Sequence, residues 1–299
     1  METLESLKGK IKTTKNLQGI VGSMKTLSAV SIAQYDKASK ALKIYDKNIK
    51  YGLKVALSKY TLSKNRSKKY LGGVAILFGT DQGLVGRFNT SLAQFAQKEI
   101  ANNPTIKDPS KIKYIVIGRS MGAKFSALNG KTEGLYSTPG SVEAISSLAQ
   151  IITLKIDELL EDYVFEKVLL FHNSLENGTQ YKPNFNRLLP MDESFLNKIR
   201  DLKWPTKQLP QTPVEGEQMF ESLVRQILFI QMYKAMAESL SAEHMTRMIS
   251  MQNAEKNIDE HLDTMSLEYQ QRRQTEITEE LIDVVSGAEV LNKKKKKKR

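Results

Sequence analysis

A glycine-rich segment, residues 79–89, comes closest to a phosphate-binding loop. It follows an apolar run and precedes a helical pattern, which is where such loops occur. The segment reads Gly-Thr-Asp-Gln-Gly-Leu-Val-Gly-Arg-Phe-Asn and fits neither G-x-x-x-x-G-K-[ST] nor G-x-G-x-x-G. We therefore favour a structural turn from strand to helix over a nucleotide site.

The other reactive side chains are too scattered to form a catalytic or metal site. The chain has no cysteine, which excludes a disulfide framework and a thiol nucleophile. His172, His244 and His261 do not show metal-ligand spacing. Ser174 and Ser286 lack the G-x-S-x-G context of a hydrolase nucleophile. We predict no catalytic residue, no metal ligand and no cofactor.

The tripeptide Arg272-Arg273-Gln274 lies between two apolar repeats in the last third of the chain. A charged patch on a solvated helix face would explain it. The functional alternative is a patch that grips an acidic loop of a partner, because the guanidinium group presents a rigid fork of donors that suits carboxylates.

Six methionines also lie in the last third of the chain. We favour adaptable core packing over a surface that touches several partners in turn, although methionine repacks easily enough for either role. They are Met232, Met236, Met245, Met248, Met251 and Met265.

The net charge of +12 at pH 7 is concentrated at the C-terminus. All seven residues 293–299 are Lys or Arg, so 12 − 7 leaves +5 for the rest, which is unremarkable. We predict a disordered basic tail over residues 292–299, and favour a solvated extension over a segment that binds an acidic surface. No window approaches the roughly 20 apolar residues of a membrane span, and the N-terminus lacks signal-peptide features. We therefore expect a cytoplasmic protein or a peripheral partner of a larger assembly.

The last third of the chain predicts one long helix over residues 213–291, which would be roughly 110 Å long. Helices of that length are usually shafts, coiled coils or spacers. Two apolar stretches with coiled-coil spacing need a facing helix. They are Ile258, Leu262, Met265 and Tyr269, and then Ile277, Leu281, Val284 and Ala288.

Residues 4–60 predict a second helix that can face the first. Gly9, Gly19 and Gly22 interrupt it and suggest either the close approach of another backbone or a soft start to the helix. Residues 61–69 are polar and basic and predict a loop. The predicted seam of this helix consists of Leu17, Ile20, Met24 and Leu27, continued by Tyr35, Ala38, Leu42, Tyr45, Ile49 and Leu53.

The middle of the chain predicts an α/β domain. Apolar runs at 74–78, 112–117 and 167–171 have the character of buried strands. Helical patterns at 88–101, 120–128 and 142–160 alternate with them, which argues for a parallel sheet with helices on its faces. Residues 177–186 are polar and rich in turn formers, and prolines punctuate residues 204–213.

These elements predict a mixed α+β and α/β fold: an antiparallel two-helix coiled coil formed by the two ends of the chain, with a Rossmann-like α/β domain inserted between them. The predicted segments are the N-terminal helix over 1–60, the α/β domain over 70–205, the C-terminal helix over 212–291 and the tail over 292–299. Because the C-terminal helix is longer, part of it must overhang and meet other partners.

Three segments of the chain resemble a known family, the γ subunits of F-type ATP synthases. Residues 241–254, Ser-Ala-Glu-His-Met-Thr-Arg-Met-Ile-Ser-Met-Gln-Asn-Ala, resemble S-E-x-x-A-R-M-x-A-M-x-x-A. Residues 273–288 resemble R-Q-x-x-I-T-x-E-L-x-E-I-V-S-G-A, and residues 81–89 resemble D-x-G-L-C-G-x-F-N with Val85 at the cysteine. Departures at Gly19 and Gly22, together with the basic tail, indicate a divergent or alternate branch.

The resemblance implies a rotor shaft without catalytic activity of its own. Its partners would be the hexamer of α and β subunits around the paired helices, the ring of c subunits below the α/β domain, and the ε subunit alongside. Arg273 and Gln274 match the family's R-Q pair that engages a loop of β. Met24 and Lys25 match its M-K pair, and would also face the hexamer.

The resemblance also implies a peripheral location on the cytoplasmic face of a bacterial or archaeal membrane, or on the inner face of a mitochondrial or plastid membrane. Two other classes of function stay open from the residues alone. One is a basic coiled-coil adaptor or nucleic-acid-binding protein, although basic charge without interleaved aromatics is weak support. The other is a Rossmann-like enzyme. For the rotor we expect no nucleic-acid partner.

Overall fold

The computed structural model describes residues 3–59, 72–103, 106, 108–128, 130–162, 165–191, 193–208, 210 and 215–296. The predicted loop over residues 61–69 lies outside them. The helices are α1 (Leu4–Lys59), α2 (Phe88–Asn102), α3 (Arg119–Ala127), α4 (Val142–Asp162), α5 (Glu193–Arg200) and α6 (Gly216–Lys296). The strands are β1 (Gly72–Phe78), β2 (Ile112–Ile117), β3 (Thr132–Tyr136), β4 (Phe165–Glu176) and β5 (Gln180–Leu189).

The chain divides into two compact units, and both long helices contribute to each. The first unit comprises Met1–Leu27 and Met248–Arg299, and the second comprises Ser28–Arg247. Helix α6 continues to Lys296, where the sequence predicted a disordered tail from residue 292. Lysine is a good helix former, and positive charge is favoured near a helix C-terminus. Residues 297–299 lie outside the described part of the chain.

In the first unit, α1 and α6 pair in antiparallel fashion. Gln18 donates a 2.5 Å hydrogen bond to Asp259, and Lys25 pairs with Glu255, four residues earlier on α6. Most side chains of α1 that are buried or half-buried follow heptad spacing. The residues at this spacing are Leu4, Leu7, Ile11, Thr14, Gln18, Val21 and Lys25, and Gly22 and Met24 beside them are also half-buried. On α6 the facing set contains Met251, Ile258, Leu262, Met265 and Tyr269, as predicted for the last four.

The predicted seam of α1 was wrong in this unit at three of its four positions, Met24 being half-buried. Leu17, Ile20 and Leu27 are 49, 56 and 67% exposed. The true seam carries polar side chains that bond to acids of α6, so the apolar stripe points away from it. A close backbone approach at Gly9, Gly19 and Gly22 was also wrong, because a Cβ atom added at any of them would meet nothing within 4 Å.

The second unit contains a five-stranded mixed sheet in the order β3-β2-β1-β4-β5, in which β5 alone is antiparallel to its neighbour. Strands β1 and β2, and β4 over residues 168–171, are mainly apolar, as expected where helices cover both faces of a sheet. Alternate residues of β1 show this: Val74 and Ile76 pack with α1, α4 and α6, whereas Ala75 and Leu77 pack with α2 and α3.

The sequence missed β3 and β5. Residues 177–186 were predicted to be turn-rich, but the turn ends at Thr179, and β5 then pairs with β4 along its length. Asn177 and Gly178 adopt φ values of 54° and 79°, and an Asn-Gly pair of this kind is a strong hairpin signal. Pro183 interrupts the donor pattern, which an edge strand tolerates.

Helices α1 and α6 are also antiparallel in the second unit. Tyr35 stacks on His244 at 5.6 Å between ring centroids, and Tyr45 donates a 2.6 Å hydrogen bond to Gln226. Of the six methionines, Met232 and Met236 are buried here, as core packing predicts. Within the described part of the chain, no helix is both long and apolar enough to cross a membrane.

Candidate partner-contact surface

The end of α6 is exposed along its whole circumference. Every residue from 270 to 288 is exposed, including both Arg273 and Gln274. Large aliphatic side chains occur on the same stretch, at 46 to 69% exposure: Ile277, Leu281, Ile282, Val284 and Val285. The second predicted apolar stretch therefore has no facing helix among the described residues, as expected from the greater length of α6.

Met24 and Lys25 are in a different environment. Both are half-buried, and the Lys25 ammonium group is paired with Glu255. Arg273 lies 18 residues beyond Glu255 on α6, or about 27 Å along the helix axis. The structure thus places the four predicted contact residues in one unit but not in one cluster. The aliphatic stripe of Leu17, Ile20 and Leu27 lies beside Met24 and is far more exposed.

The glycine-rich turn in the second unit is held together by its own polar groups. The Asn89 side chain accepts a hydrogen bond from the Thr80 amide at 3.1 Å and donates to the Thr80 hydroxyl at 2.9 Å. A Cβ atom added to Gly79 would lie 2.3 Å from Met121, so only glycine fits there. These contacts support a structural role for the turn.

Asp81 occupies the position where doubly wound folds bind anions, at the carboxyl ends of parallel strands and the N-terminus of a helix. One carboxylate oxygen accepts the Arg119 amide, at the start of α3, at 2.8 Å. The other accepts the Thr138 amide at 3.1 Å. Gly118, between β2 and α3, has a φ of 106°, which favours glycine. The chain supplies its own anion at this place, which argues against a nucleotide there.

Helix α6 holds the turn from the other side. Val85 and Phe88 pack with Ala242, and the Arg247 guanidinium donates a 3.4 Å hydrogen bond to the Gly83 carbonyl. Arg247 also pairs with Glu243 at 2.8 Å, and less than a tenth of either side chain is exposed. Sequence reasoning missed this pair, although its i, i+4 spacing is a recognisable signal.

Buried ionisable groups surround this contact. Burial raises the pKa of Glu243, against the opposing effect of Arg247. Burial, with a smaller contribution from Arg247, lowers the pKa of His244 to about 4. His172 lies 3.0 Å from Glu238. Among the residues that the structure describes, no three His, Asp or Glu side chains form a group able to hold a metal ion.

Three comparisons with known proteins agree on a family. The family model described as ATP synthase matches residues 3–291. The ATP synthase gamma chain of a Nitratiruptor species is 28% identical, with 97% of this chain and 100% of that protein aligned. The gamma chain of Bdellovibrio bacteriovorus is 26% identical over 97 and 99% of the two chains.

Solved structures share the fold. A chain in the Euglena gracilis mitochondrial ATP synthase structure of OSCP, F1 and c-ring superposes with a TM-score of 0.63 and 17% identity, covering 96% of this chain and 94% of that one. A chain of the Tetrahymena thermophila central stalk and c-ring gives 0.52 and 16%, over 79 and 99%. Because the family model spans nearly every residue, the chain belongs to the ATP synthase gamma family.

Proposed function

We propose that this chain is the central rotor shaft of an F-type ATP synthase, and that it couples ion flow through the membrane ring to ATP synthesis or hydrolysis in the hexamer of α and β subunits. It is a mechanical subunit without catalytic residues of its own. One observation carries the proposal: two helices that pair through a partly polar seam also present large aliphatic side chains on their outer surface.

The outward aliphatic residues fall into two groups in the first unit. Leu17, Ile20 and Leu27 lie on α1, and five Ile, Leu and Val side chains lie between 277 and 285 on α6. Soluble proteins rarely leave contiguous apolar surface uncovered unless a partner binds it. Aliphatic contacts are non-directional, so such a surface can bind a surrounding sleeve without one preferred angle. These properties suit an axle in the bore of the hexamer.

The two helices differ around the shaft, so the three β subunits would meet different surfaces. A shaft can bias each β subunit between nucleotide-binding states only by the difference in its contact energy with those states. Rotation would then change the three affinities in sequence. The polar pairs of Gln18 with Asp259 and of Lys25 with Glu255 help to keep the two helices turning together.

We assign the grip on β to Arg273 and Gln274. Both are exposed on α6, and an arginine fork bonds well to the carboxylates of an acidic loop. Met24 and Lys25 form a second contact. Since Lys25 is paired with Glu255, its role at the hexamer is to present a neutralised pair beside the aliphatic stripe.

The other proposed partners are the ε subunit and the c-ring, with no nucleic acid. The solved structures that share the fold come from a rotor, from a central stalk with its c-ring, and from an assembly of OSCP, F1 and c-ring. We propose that the predicted helices over 1–60 and 212–291 form the shaft and that the domain over 70–205 contacts the ring. The location would be peripheral, on the cytoplasmic face of a bacterial or archaeal membrane, or alternatively on the inner face of a mitochondrial or plastid membrane.

Co-purification tests the proposal. An affinity tag on this chain should recover α and β subunits from membranes of the source cell. The ratio of this chain to α to β should be 1:3:3. The complex should hydrolyse ATP, and the chain alone should not. Recovery of the chain as a free protein, or in a complex with nucleic acid that survives deletion of residues 292–299, would overturn it in favour of the adaptor.

A further inference from the structure

A groove in the second unit is not explained by the shaft function. It lies between α1, α4 and α6, has a volume of about 430 Å³, and is lined in part by Tyr45, Leu154 and Phe229. Most of its polar groups are paired: the Tyr45 hydroxyl bonds to Gln226, and Arg225 lies 3.2 Å from Asp157. What remains open to a partner is mainly hydrocarbon.

Exposed aliphatic side chains on two helices accompany the groove. Ile44, which precedes Tyr45 on α1, is 72% exposed. On α4, Ile151 and Leu154 are one turn apart and are 49 and 63% exposed. Exposed aliphatic residues around a groove are typical of an interaction site rather than of a solvated surface.

Positive charge surrounds Ile44. Lys40, Lys43 and Lys47 lie four residues before, one before and three after it on α1, and all three are exposed. Within the described ranges, neither Lys40 nor Lys43 has a carboxylate within ion-pair distance, and the Lys47 ammonium group lies over the Tyr51 ring, 5.9 Å from its centroid.

The two acids of α1 nearest to these lysines are engaged elsewhere. Asp46 pairs with Lys50, and Asp36 accepts a 3.0 Å hydrogen bond from Ser241. The α1 wall of the groove therefore carries uncompensated positive charge next to an exposed isoleucine. A second copy of this chain, at +12, would be repelled from such a wall.

We propose that this groove is a docking site for an acidic amphipathic helix of a partner protein. Apolar residues of the partner at i, i+3, i+4 and i+7 would pack against Leu154 and Phe229, as helices do in grooves walled by other helices. Carboxylates on the side of the partner that faces α1 would meet Lys40 and Lys43, and would select the partner and its direction.

Site-specific photocrosslinking in the assembled complex tests the docking site. Benzoylphenylalanine replaces Leu154 in one variant and, as a matched control, Leu135, which is 52% exposed on β3. After irradiation of the tagged complex, mass spectrometry identifies the crosslinked peptide. We expect a peptide of another subunit with helical apolar spacing and net negative charge. Crosslinks to a second copy, to lipid or to a basic segment, or a yield no higher than at Leu135, would overturn the proposal.

Charge variants test the role of the lysines in the same complex. K40E/K43E should lower the crosslinking yield at Leu154 at least fivefold, and the milder K40Q/K43Q should give an intermediate loss. K98E/K124E changes two exposed lysines of α2 and α3 and should leave the yield unchanged. If the three variants gave equal yields, the charge-selected docking would be wrong. Variants are scored only in complexes that retain α and β subunits.

Discussion

The Arg247 guanidinium lies 2.8 Å from the Glu243 carboxylate, one turn earlier on α6, and both side chains are buried. Replacing Arg247 with methionine would leave a buried carboxylate without its cation. Loss of one partner of a buried pair typically costs about 3–5 kcal/mol. We therefore expect the full-length chain to unfold at a lower urea concentration. The unfolding is monitored by the fluorescence of Trp204, the single tryptophan.

The double variant E243Q/R247M supplies the control for this pair. It removes both charges, so it should recover a large part of the lost stability. If R247M were as stable as the wild type, or if the double variant were less stable than R247M, the buried pair would not stabilise the fold as described.

His244 should make the stability of the chain depend on pH. Its pKa is lowered from 6.5 to about 4 by burial, so between these values the unfolded chain binds a proton that the folded chain does not. Stability is therefore fully present above pH 6.5 and falls as the pH drops towards 4, by on the order of 3 kcal/mol if the full shift applies. Urea titrations at half-unit steps measure it.

The variant H244F isolates this contribution, since phenylalanine can still stack on Tyr35. Its stability should change less than that of the wild type between pH 6.5 and 4. His261 is exposed on the same helix, and H261F should keep the wild-type profile. Identical profiles for H244F and the wild type would show that another group dominates in this range.

Replacing both Arg273 and Gln274 with alanine should reduce coupling without unfolding the chain. Both side chains are exposed, so the variant chain should assemble with α and β. Loss of hydrogen bonds that involve a charged group costs about 1.5–3 kcal/mol, enough to lower coupled ATP synthesis about tenfold. The matched control is Q271A/R272A, which also removes one arginine and one glutamine, from the two positions directly before Arg273. Equal rates of coupled ATP synthesis in the two variants would show that Arg273 and Gln274 are not the specific contact with β.

The two apolar sets of α1 should respond differently to substitution. Leu7 is 2% exposed, and L7A should cost about 2–5 kcal/mol. Leu17 and Ile20 are about half exposed, and L17N/I20N should leave the thermal midpoint of the isolated chain nearly unchanged while weakening its retention by the hexamer. A large loss of stability in L17N/I20N would mean that these residues form the seam after all.

Alanine at Gly19 and Gly22 should stabilise the N-terminal part of α1. A Cβ atom meets nothing there, and alanine favours a helix interior over glycine by up to about 1 kcal/mol at each site. Amide hydrogen exchange of residues 16–26 should slow. Gly118 is the contrasting position: at a φ of 106°, G118A should destabilise the chain. Faster exchange in the α1 variant would contradict an open environment.

The sequence predicted elements whose pattern is set by burial. Strands β1, β2 and β4 are apolar on both faces, and the facing set on α6 is apolar at heptad spacing, so each could be recognised alone. Strand β5 escaped because its pairing with β4, not its composition, makes it a strand, although Asn177-Gly178 marked the turn. The seam of α1 was not predicted because it includes the polar residues Thr14, Gln18 and Lys25. Gln18 and Lys25 bond to acids of α6, which no local sequence pattern reveals.

The candidate contact surface was predicted only in part for a related reason. Arg273 and Gln274 came from the family resemblance, and the structure adds their exposure. Lys25 and Glu255 are 230 positions apart in the sequence. Their pairing could not be predicted without knowing the register between α1 and α6. A contact with another subunit is encoded in two surfaces, and a single chain contains one of them.

Asp81 has a mechanical consequence. Asp81 lies in the segment after β1, and its carboxylate accepts hydrogen bonds from the starts of the segments that follow β2 and β3. One side chain thus links the carboxyl ends of three strands. A sideways force on any one strand end would be shared by all three. Enzymes of similar topology leave this place open for a ligand. In this domain the Asp81 carboxylate fills it and stiffens the carboxyl-terminal edge of the sheet.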